Sequence, residues 1–308
     1  MSKRKRGRAI HGWICLDKPL GLGSTPAVSK IRHAFNAQKA GHAGTLDPLA
    51  TGILPIALGE ATKTVSFMTD AEKDYRFTIL FGTSTETLDA EGAVTATSAM
   101  RTTREAVEAA LPAFVGNIIQ TPPAYSAILI DGQRAYDLAR AGLNPEMKSR
   151  PAFVRSAVVT DFTGETVTIE VTVGKGFYIR SLMRDLCAAL GVEGHVSVLR
   201  RTRVGPFTEA RAIGLENLLE LSHKAGALEG LLPVETALDD IPALALTTED
   251  AFRLSQGRAV VLLPRQVEAL ETLLTEGSRT VLARQEQTLV AICEMRAGQL
   301  NPVRVFNL

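Results

Sequence analysis

Twelve residues, GHAGTLDPLATG from Gly41 to Gly52, set the tightest limits on how this chain can run. Glycines at 41, 44 and 52 allow backbone geometries closed to other residues. Pro48 fixes its own φ and pushes Asp47 toward an extended conformation. The stretch therefore reads as a shaped loop. Asp47 and His42 are its only ionisable side chains. An isolated Asp-Pro is commonly a turn in which the carboxylate bonds its own backbone. A loop shaped this closely around one acid can instead hold that acid against a substrate, and the rest of the chain has to decide.

Around this loop the pattern alternates irregularly between strands and helices. Residues 11–17 (HGWICLD) read as a buried strand, and KPLGLG as a turn. Ser24 or Thr25 is placed to cap a helix with Pro26 in its first turn and Val28, Ile31 and Phe35 at helical spacing. ILPIAL at 53–58 and DYRFTILF at 74–81 read as strands, with a helix over ATKTVSFM between them. A helix at 103–115 starts at Thr102 or Thr103. PPAYSAILIDGQRAYDLARAG reads as a strand, an Asp-Gly turn and a short helix. Residues 153–161 and 165–173 are strands, FYIRSLMRDLCAAL is an amphipathic helix closed by Gly191, and HVSVLRRTRVG is a strand. The expected fold class is α+β, a mainly antiparallel sheet flanked by helices.

Beyond about residue 240 the pattern changes to a short helix near 249–256 and small β segments at 258–263, 279–284, 288–295 and 303–306. With 308 residues, two domains are expected. They are a larger domain over 11–238 and a small, mostly β domain over 239–308, preceded by a disordered basic tail at 1–10.

Charge is uneven along the chain. Residues 1–66 carry 10 Lys+Arg against 3 Asp+Glu, residues 67–119 carry 4 against 8, and the whole chain is only +1. This asymmetry points to a polyanionic partner meeting the basic segments, although a charge block can equally be a solvated face. The three cysteines, Cys15, Cys187 and Cys293, form no CxxC pair, which argues against a disulfide framework or a structural metal. A reducing cytoplasm fits. The basic N-terminus is not followed by the apolar run of a signal peptide, and no run approaches the length of a membrane helix.

GTLDPLATG closely resembles the catalytic motif of the TruB family, the bacterial synthases that make pseudouridine in the T arm of tRNA. LDKPLG at 16–21, KDYRF at 73–77, GTSTETLDAEG at 82–92, PPAYSAILIDGQRAYDLAR at 122–140, GKGFYIRSLMRDL at 174–186 and HVSVLRRTRVGPF at 195–207 resemble further segments of that family in the same order. The last portion resembles, more weakly, the small PUA RNA-binding domain. The sequence departs from the family at GLGSTP, residues 21–26, and at Phe177.

The resemblance implies the pseudouridine-synthase fold and a cofactor-free, metal-free isomerisation of uridine 55 after base flipping. Asp47 is implied as the essential carboxylate, attacking the nucleotide or taking a proton from its sugar. Arg180 is implied as the active-site arginine. A carboxylate isolated in an apolar pocket is driven to protonate, so a paired cation is expected to hold Asp47 ionised through a planar fork. Tyr75 is implied beside the target base, Tyr178 and Leu199 in the substrate pocket, and His42 against RNA near the extruded base. Asp89 is a candidate to orient Arg180 or its loop. Lys18 and Lys63 are candidate phosphate contacts, as are Arg200, Arg201 and Arg203. The expected partner is the tRNA T arm and the expected state a monomer. The rival reading is a non-catalytic RNA-binding protein or tRNA-folding chaperone on the same fold.

Overall fold

The computed structural model describes residues 7–143, 145–222, 230–275 and 277–308. The strands of its main sheet are β1 (Gly12–Lys18), β2 (Ala50–Leu58), β3 (Lys73–Phe81), β4 (Gly116–Gln120), β5 (Arg150–Phe162), β6 (Thr166–Val173), β7 (Gly194–Val204) and β8 (Ile213–Gly214). They lie in the order β8–β1–β2–β7–β3–β6–β5–β4, with the short strands Ala40–His42 and Phe207–Thr208 attached to β2 and β7. The β1–β8 and β2–β7 pairings are parallel and the others antiparallel.

β1 is apolar from Trp13 to Leu16 because both of its faces are covered there. Ile14 and Leu16 enter one core cluster, Trp13 and Cys15 the cluster on the opposite face. β2 divides in the same way, with Leu54, Ile56 and Leu58 on one side and Ile53 and Ala57 on the other. Farther along the sheet only one face is apolar. Tyr75, Phe77 and Ile79 of β3 and Val167, Ile169 and Val171 of β6 join the first cluster. Their other face carries the exposed Arg76–Glu170 pair.

Helices α1 (Ser24–Ala34), α2 (Val65–Asp70), α3 (Arg104–Ala110), α4 (Ala135–Arg140), α5 (Ile179–Leu190) and α6 (Leu215–Ser222) accompany this sheet. α5 buries Ile179, Leu182, Met183, Leu186 and Cys187, one stripe of a 3.6-residue repeat, and ends at Gly191 with φ +65°. Thr103 caps α3 by accepting from Ala106 N–H at 3.2 Å. That helix is shorter than expected. From Leu111 it tightens into a 3₁₀ turn, with Pro112 supplying no N–H to continue the α pattern. Ser24 does not cap α1. Gly23 is the cap residue, and the Ser24 hydroxyl is engaged elsewhere.

The basic tail also departs from expectation. Residues 1–6 lie outside the described residues. Arg8 is paired with Ala37, its N–H donating to Asn36 O at 2.6 Å, and Ile10 is buried. The segment 7–10 is therefore part of the folded body.

A second sheet of five strands runs in the order Ala243–Ala245, Thr280–Gln285, Thr288–Arg296, Gln299–Val305, Val260–Val261, with α7 (Thr248–Ser255) and α8 (Pro264–Leu273). The first of these strands and α8 were not foreseen. Leu282, Leu289, Ile292 and Phe306 from this region complete the cluster around Trp13. Among the described residues no helix is long and apolar enough to cross a membrane.

The sheet and the Asp47 loop meet at Gly52, where β2 turns against β7. Gly52 has φ +97°, and a Cβ there would sit 2.2 Å from the Arg201 carbonyl oxygen. Gly52→Ala is expected to destabilise the protein by about 2 kcal/mol or more through backbone strain and this clash. A melting temperature unchanged from wild type in thermal unfolding would contradict that expectation.

Candidate active site

The loop that carries Asp47 is held by side chains from three separate elements. Ser24 Oγ donates to Leu46 O and accepts from Leu46 N–H, each at 2.8 Å. Lys18, at the end of β1, donates to Leu22 O at 2.6 Å, Pro19 O at 2.9 Å and Pro48 O at 3.4 Å. Arg201 on β7 donates to Ile53 O at 2.8 Å, Gly44 O at 3.1 Å and Thr45 O at 3.4 Å. Loop carbonyls that no ladder can satisfy are thus met by buried cations. Lys18 has no exposed surface and Arg201 is 1 % exposed. Burial pushes the Lys18 ammonium down to about 8, against the attraction of Asp47.

Arg180, in the first turn of α5, closes the arrangement. Its Nη2 donates to Asp47 Oδ2 and to Tyr125 O, each at 2.8 Å. Its Nη1 donates to Thr87 O at 2.9 Å and lies 3.3 Å from Asp89 Oδ2. The expected planar fork onto Asp47 is not what forms. The guanidinium bridges two carboxylates, one nitrogen to each. Burial also falls on the opposite partner from the one expected: the Arg180 side chain is 7 % exposed and that of Asp47 42 %. The cation is the group in need of counter-charge, and Asp89, itself buried, supplies the second share. Asp89 is fixed in turn, its Oδ1 accepting from the Thr87 hydroxyl and from Glu91 N–H.

Two cavities flank the Asp47–Arg180 contact. The first, about 360 Å³, has Tyr75, Tyr178, Phe177 and Leu199 in its wall, with Lys73 and Arg201. Lys73 donates to the carbonyls of Met68, Thr69 and Ala71 at the end of α2, and burial lowers it to about 8, with Arg201 adding to the fall. Gln120 on β4 brackets Tyr178, accepting from its N–H at 2.9 Å and donating to its carbonyl at 3.1 Å. The second cavity, about 340 Å³, lies toward the start of α1 and has Tyr125, Tyr136 and Arg140 in its wall. A carboxylate, a buried guanidinium and an aromatic-lined space large enough for a nucleobase together suit covalent or acid–base chemistry on a nucleotide.

The structure thus brings Asp47, Tyr75, Tyr178, Arg180 and Leu199 around one cavity, with Asp89 behind Arg180. Of the remaining candidates it brings only the buried Arg201 there. Lys18 is fully buried, so it has no surface to offer a phosphate. Lys63 is bound to Glu60 at 2.5 Å and to Val305 O at 2.7 Å, a link to the second sheet. His42 pairs with Ile56 on the short strand beside β2 and lines neither cavity. Its Nδ1 is buried without a partner, and burial and then Arg201 lower its pKa. Arg200 is bonded to Asp17 through two nitrogens and to Glu209, and Arg203 to Asp74 through two nitrogens. With Arg201 buried, none of the three arginines of VLRRTRVG is free for a phosphate. Sequence reasoning missed the carbonyls of Thr87 and Tyr125, the Ser24 hydroxyl and Ser126. Thr87, Tyr125 and Ser126 lie inside matched segments, but nothing local says which backbone atoms face a cation.

Residues 32–179 match the family model described as TruB family pseudouridylate synthase (N terminal domain), and residues 180–239 match the tRNA pseudouridylate synthase B C-terminal domain. The chain is 65 % identical over 309 residues to the tRNA pseudouridine synthase B of Caulobacter sp. (strain K31), covering 100 % of both chains. It is 50 % identical to that of Bradyrhizobium diazoefficiens, covering 99 % of this chain and 88 % of the relative. Among solved structures it is similar to a chain of an H/ACA ribonucleoprotein bound to a substrate RNA containing 2′-deoxyuridine, with TM-score 0.72, 25 % identity and coverage of 96 % and 85 %. It is likewise similar to a chain of a Cbf5–Nop10–Gar1 complex, with TM-score 0.71, 27 % identity and coverage of 96 % and 84 %.

The buried Lys18 generates a pH signature. Its pKa in the fold, about 8, lies below its ordinary 10.5, so the unfolded chain binds the extra proton between those values. Wild type is therefore expected to gain stability relative to Lys18→Met as pH rises from about 8 toward 10, with no such relative change below 8. Parallel denaturant midpoints for the two proteins across that window would contradict it.

Proposed function

The chain belongs to the TruB family of pseudouridylate synthases, and from that premise we propose that it converts uridine 55 in the T loop of tRNA to pseudouridine. The observation that carries the reading is the Asp47–Arg180 contact of 2.8 Å in the wall of an aromatic-lined cavity large enough for a base. A non-catalytic RNA binder has no need of an acid so held.

The reaction breaks the bond between uracil and ribose, turns the base and rejoins it through carbon 5. It is an isomerisation and calls for no redox cofactor. The target lies in a folded arm, beyond the reach of Asp47 while stacked, so the nucleotide is extruded into the cavity. Asp47 then attacks the anomeric carbon or takes a proton from the sugar. Arg180 holds the carboxylate in place. The Tyr75 ring stacks on the uracil and its hydroxyl assists loss of the carbon-5 proton. Tyr178 and Leu199 bound the base.

Recognition rests on the shape of the T arm, its phosphates and its loop bases. With Lys18, Lys63 and the VLRRTRVG arginines committed within the protein, the basic N-terminal segment is a source of phosphate attraction. We assign residues 239–308 as a PUA-like RNA-binding domain, and the enzyme as a monomer acting in the cytoplasm. Fold similarity to a chain of an H/ACA ribonucleoprotein is met by 65 % identity over the whole chain to a tRNA pseudouridine synthase B, which favours tRNA as the substrate.

The purified protein alone, incubated with unmodified tRNA transcript, is expected to yield pseudouridine at position 55 and nowhere else, as mapped in the product RNA. Tight binding with no product would favour the RNA-folding reading instead. Asp47→Asn is expected to abolish product while tRNA affinity stays within about twofold of wild type; appreciable turnover by this variant would remove Asp47 from its role. Arg180→Lys, which cannot bridge both carboxylates, is expected to slow single-turnover conversion by about 10²-fold or more through misplacement of Asp47.

A further inference from the structure

Ser126 lies in the wall of both cavities that flank Asp47, and its hydroxyl is buried with no hydrogen-bond partner among the described residues. The residue is 4 % exposed. Everything around that hydroxyl is bonded. Ser126 N–H donates to Ala124 O at 2.9 Å, and Ser126 O accepts from Tyr136 N–H at 3.0 Å. The carbonyl before it, Tyr125 O, is held by Arg180, and the one after it, Ala127 O, accepts from Arg134 Nη1 at 2.5 Å. The residue is thus fixed in place by its own backbone and by two arginines, one of which is the arginine that holds Asp47. Buried hydroxyls are ordinarily paired, because an unmet donor or acceptor in the interior is destabilising. Serine commonly solves this by bonding a nearby backbone group, and Ser126 does not.

The position of Ser126 says which part of a nucleotide meets it. A base in the larger, aromatic-lined cavity has its sugar beside Asp47, because Asp47 must reach the anomeric carbon or its neighbour. The strand attached to that sugar leaves past the Asp47–Arg180 contact, which both cavities share. Ser126 is in the wall on each side of that passage. A hydroxyl both donates and accepts, as does a ribose 2′-hydroxyl, while a phosphodiester oxygen accepts.

Resting on the function proposed above, we propose that Ser126 Oγ hydrogen-bonds the sugar–phosphate of the extruded nucleotide and so sets the ribose against Asp47. The partner is an oxygen of the 2′-hydroxyl or of the adjoining phosphodiester.

The test compares wild type with Ser126→Ala on two T-arm RNAs, one with uridine at the target and one with a single 2′-deoxyuridine there. Melting temperature, RNA affinity and single-turnover rate are read for each protein. The substitution removes an oxygen that bonds nothing in the protein, so the melting temperature is expected to be unchanged or higher. On the uridine RNA, affinity multiplied by rate is expected to fall about tenfold, the loss of one hydrogen bond. If the difference between the two proteins vanishes on the deoxy RNA, the partner is the 2′-hydroxyl; if it persists, the partner is a phosphate oxygen. Equal performance of the two proteins on the uridine RNA overturns the proposal. So does a lowered melting temperature that accounts for the loss, which would make the hydroxyl structural. A wild-type protein that makes no product would defeat the proposed activity instead, and equal or unequal RNA affinities of the two proteins would then still decide whether Ser126 touches the strand.

Discussion

A guanidinium has no means of shedding its charge inside a protein, and Arg180 is almost wholly enclosed. Its burial is tolerable only because two carboxylates and two carbonyls converge on it. That requirement ties together four parts of the chain: the Asp47 loop, the turn containing Thr87 and Asp89, the Tyr125 segment, and α5. The arginine is brought to them by its place in the first turn of α5, whose buried stripe fixes the helix against the sheet. Removing any one acceptor leaves charge unmet in the interior, so the geometry around Asp47 is set by the needs of its neighbour. The half-exposed acid is the accessible end of a network whose anchor is out of reach of solvent.

The same logic extends beneath the loop. Lys18, Lys73 and Arg201 are all buried, and each donates only to backbone carbonyls. None forms an ion pair within 4 Å among the described residues. Together with Arg180 they give the floor of the site an excess of positive charge, and His42 beside Arg201 is held toward its neutral form. Such a floor suits a substrate whose backbone is anionic, although the cations themselves do not reach the surface. Their electrostatic influence is exerted through low-dielectric surroundings, where it is screened less than at the surface.

Much of the frame was legible in the chain. α5 announced itself through the spacing of Ile179, Leu182, Met183 and Leu186 and through Gly191; β1 did so through the short apolar run Trp13–Leu16, which suits a strand covered on both faces. The ordered motifs located the loop, the arginine and the tyrosine. What escaped was the destination of individual polar side chains. Ser24 stands where a helix cap belongs but reaches Leu46, because the loop returns to it from twenty-two residues away. The arginines of VLRRTRVG look alike in sequence and have three different fates, decided by Asp17, Asp74 and the loop carbonyls. Lys63 meets its acceptor 242 residues away. α8 buries only Leu270 fully, so its helical stripe is faint.

The packing around Trp13 has a consequence for how the molecule is built during synthesis. One side of β1 is closed by residues as distant as Phe207 and Val234, in a cluster that continues to Leu282, Ile292 and Phe306. Translation delivers β1 first, and its opposite side can pack early on nearby segments such as α1 and β2. The tryptophan side is completed only once Phe207 and Val234 have cleared the ribosome. For most of its time as a nascent chain, this protein therefore carries an uncovered apolar flank at its oldest strand, the kind of surface that chaperones bind.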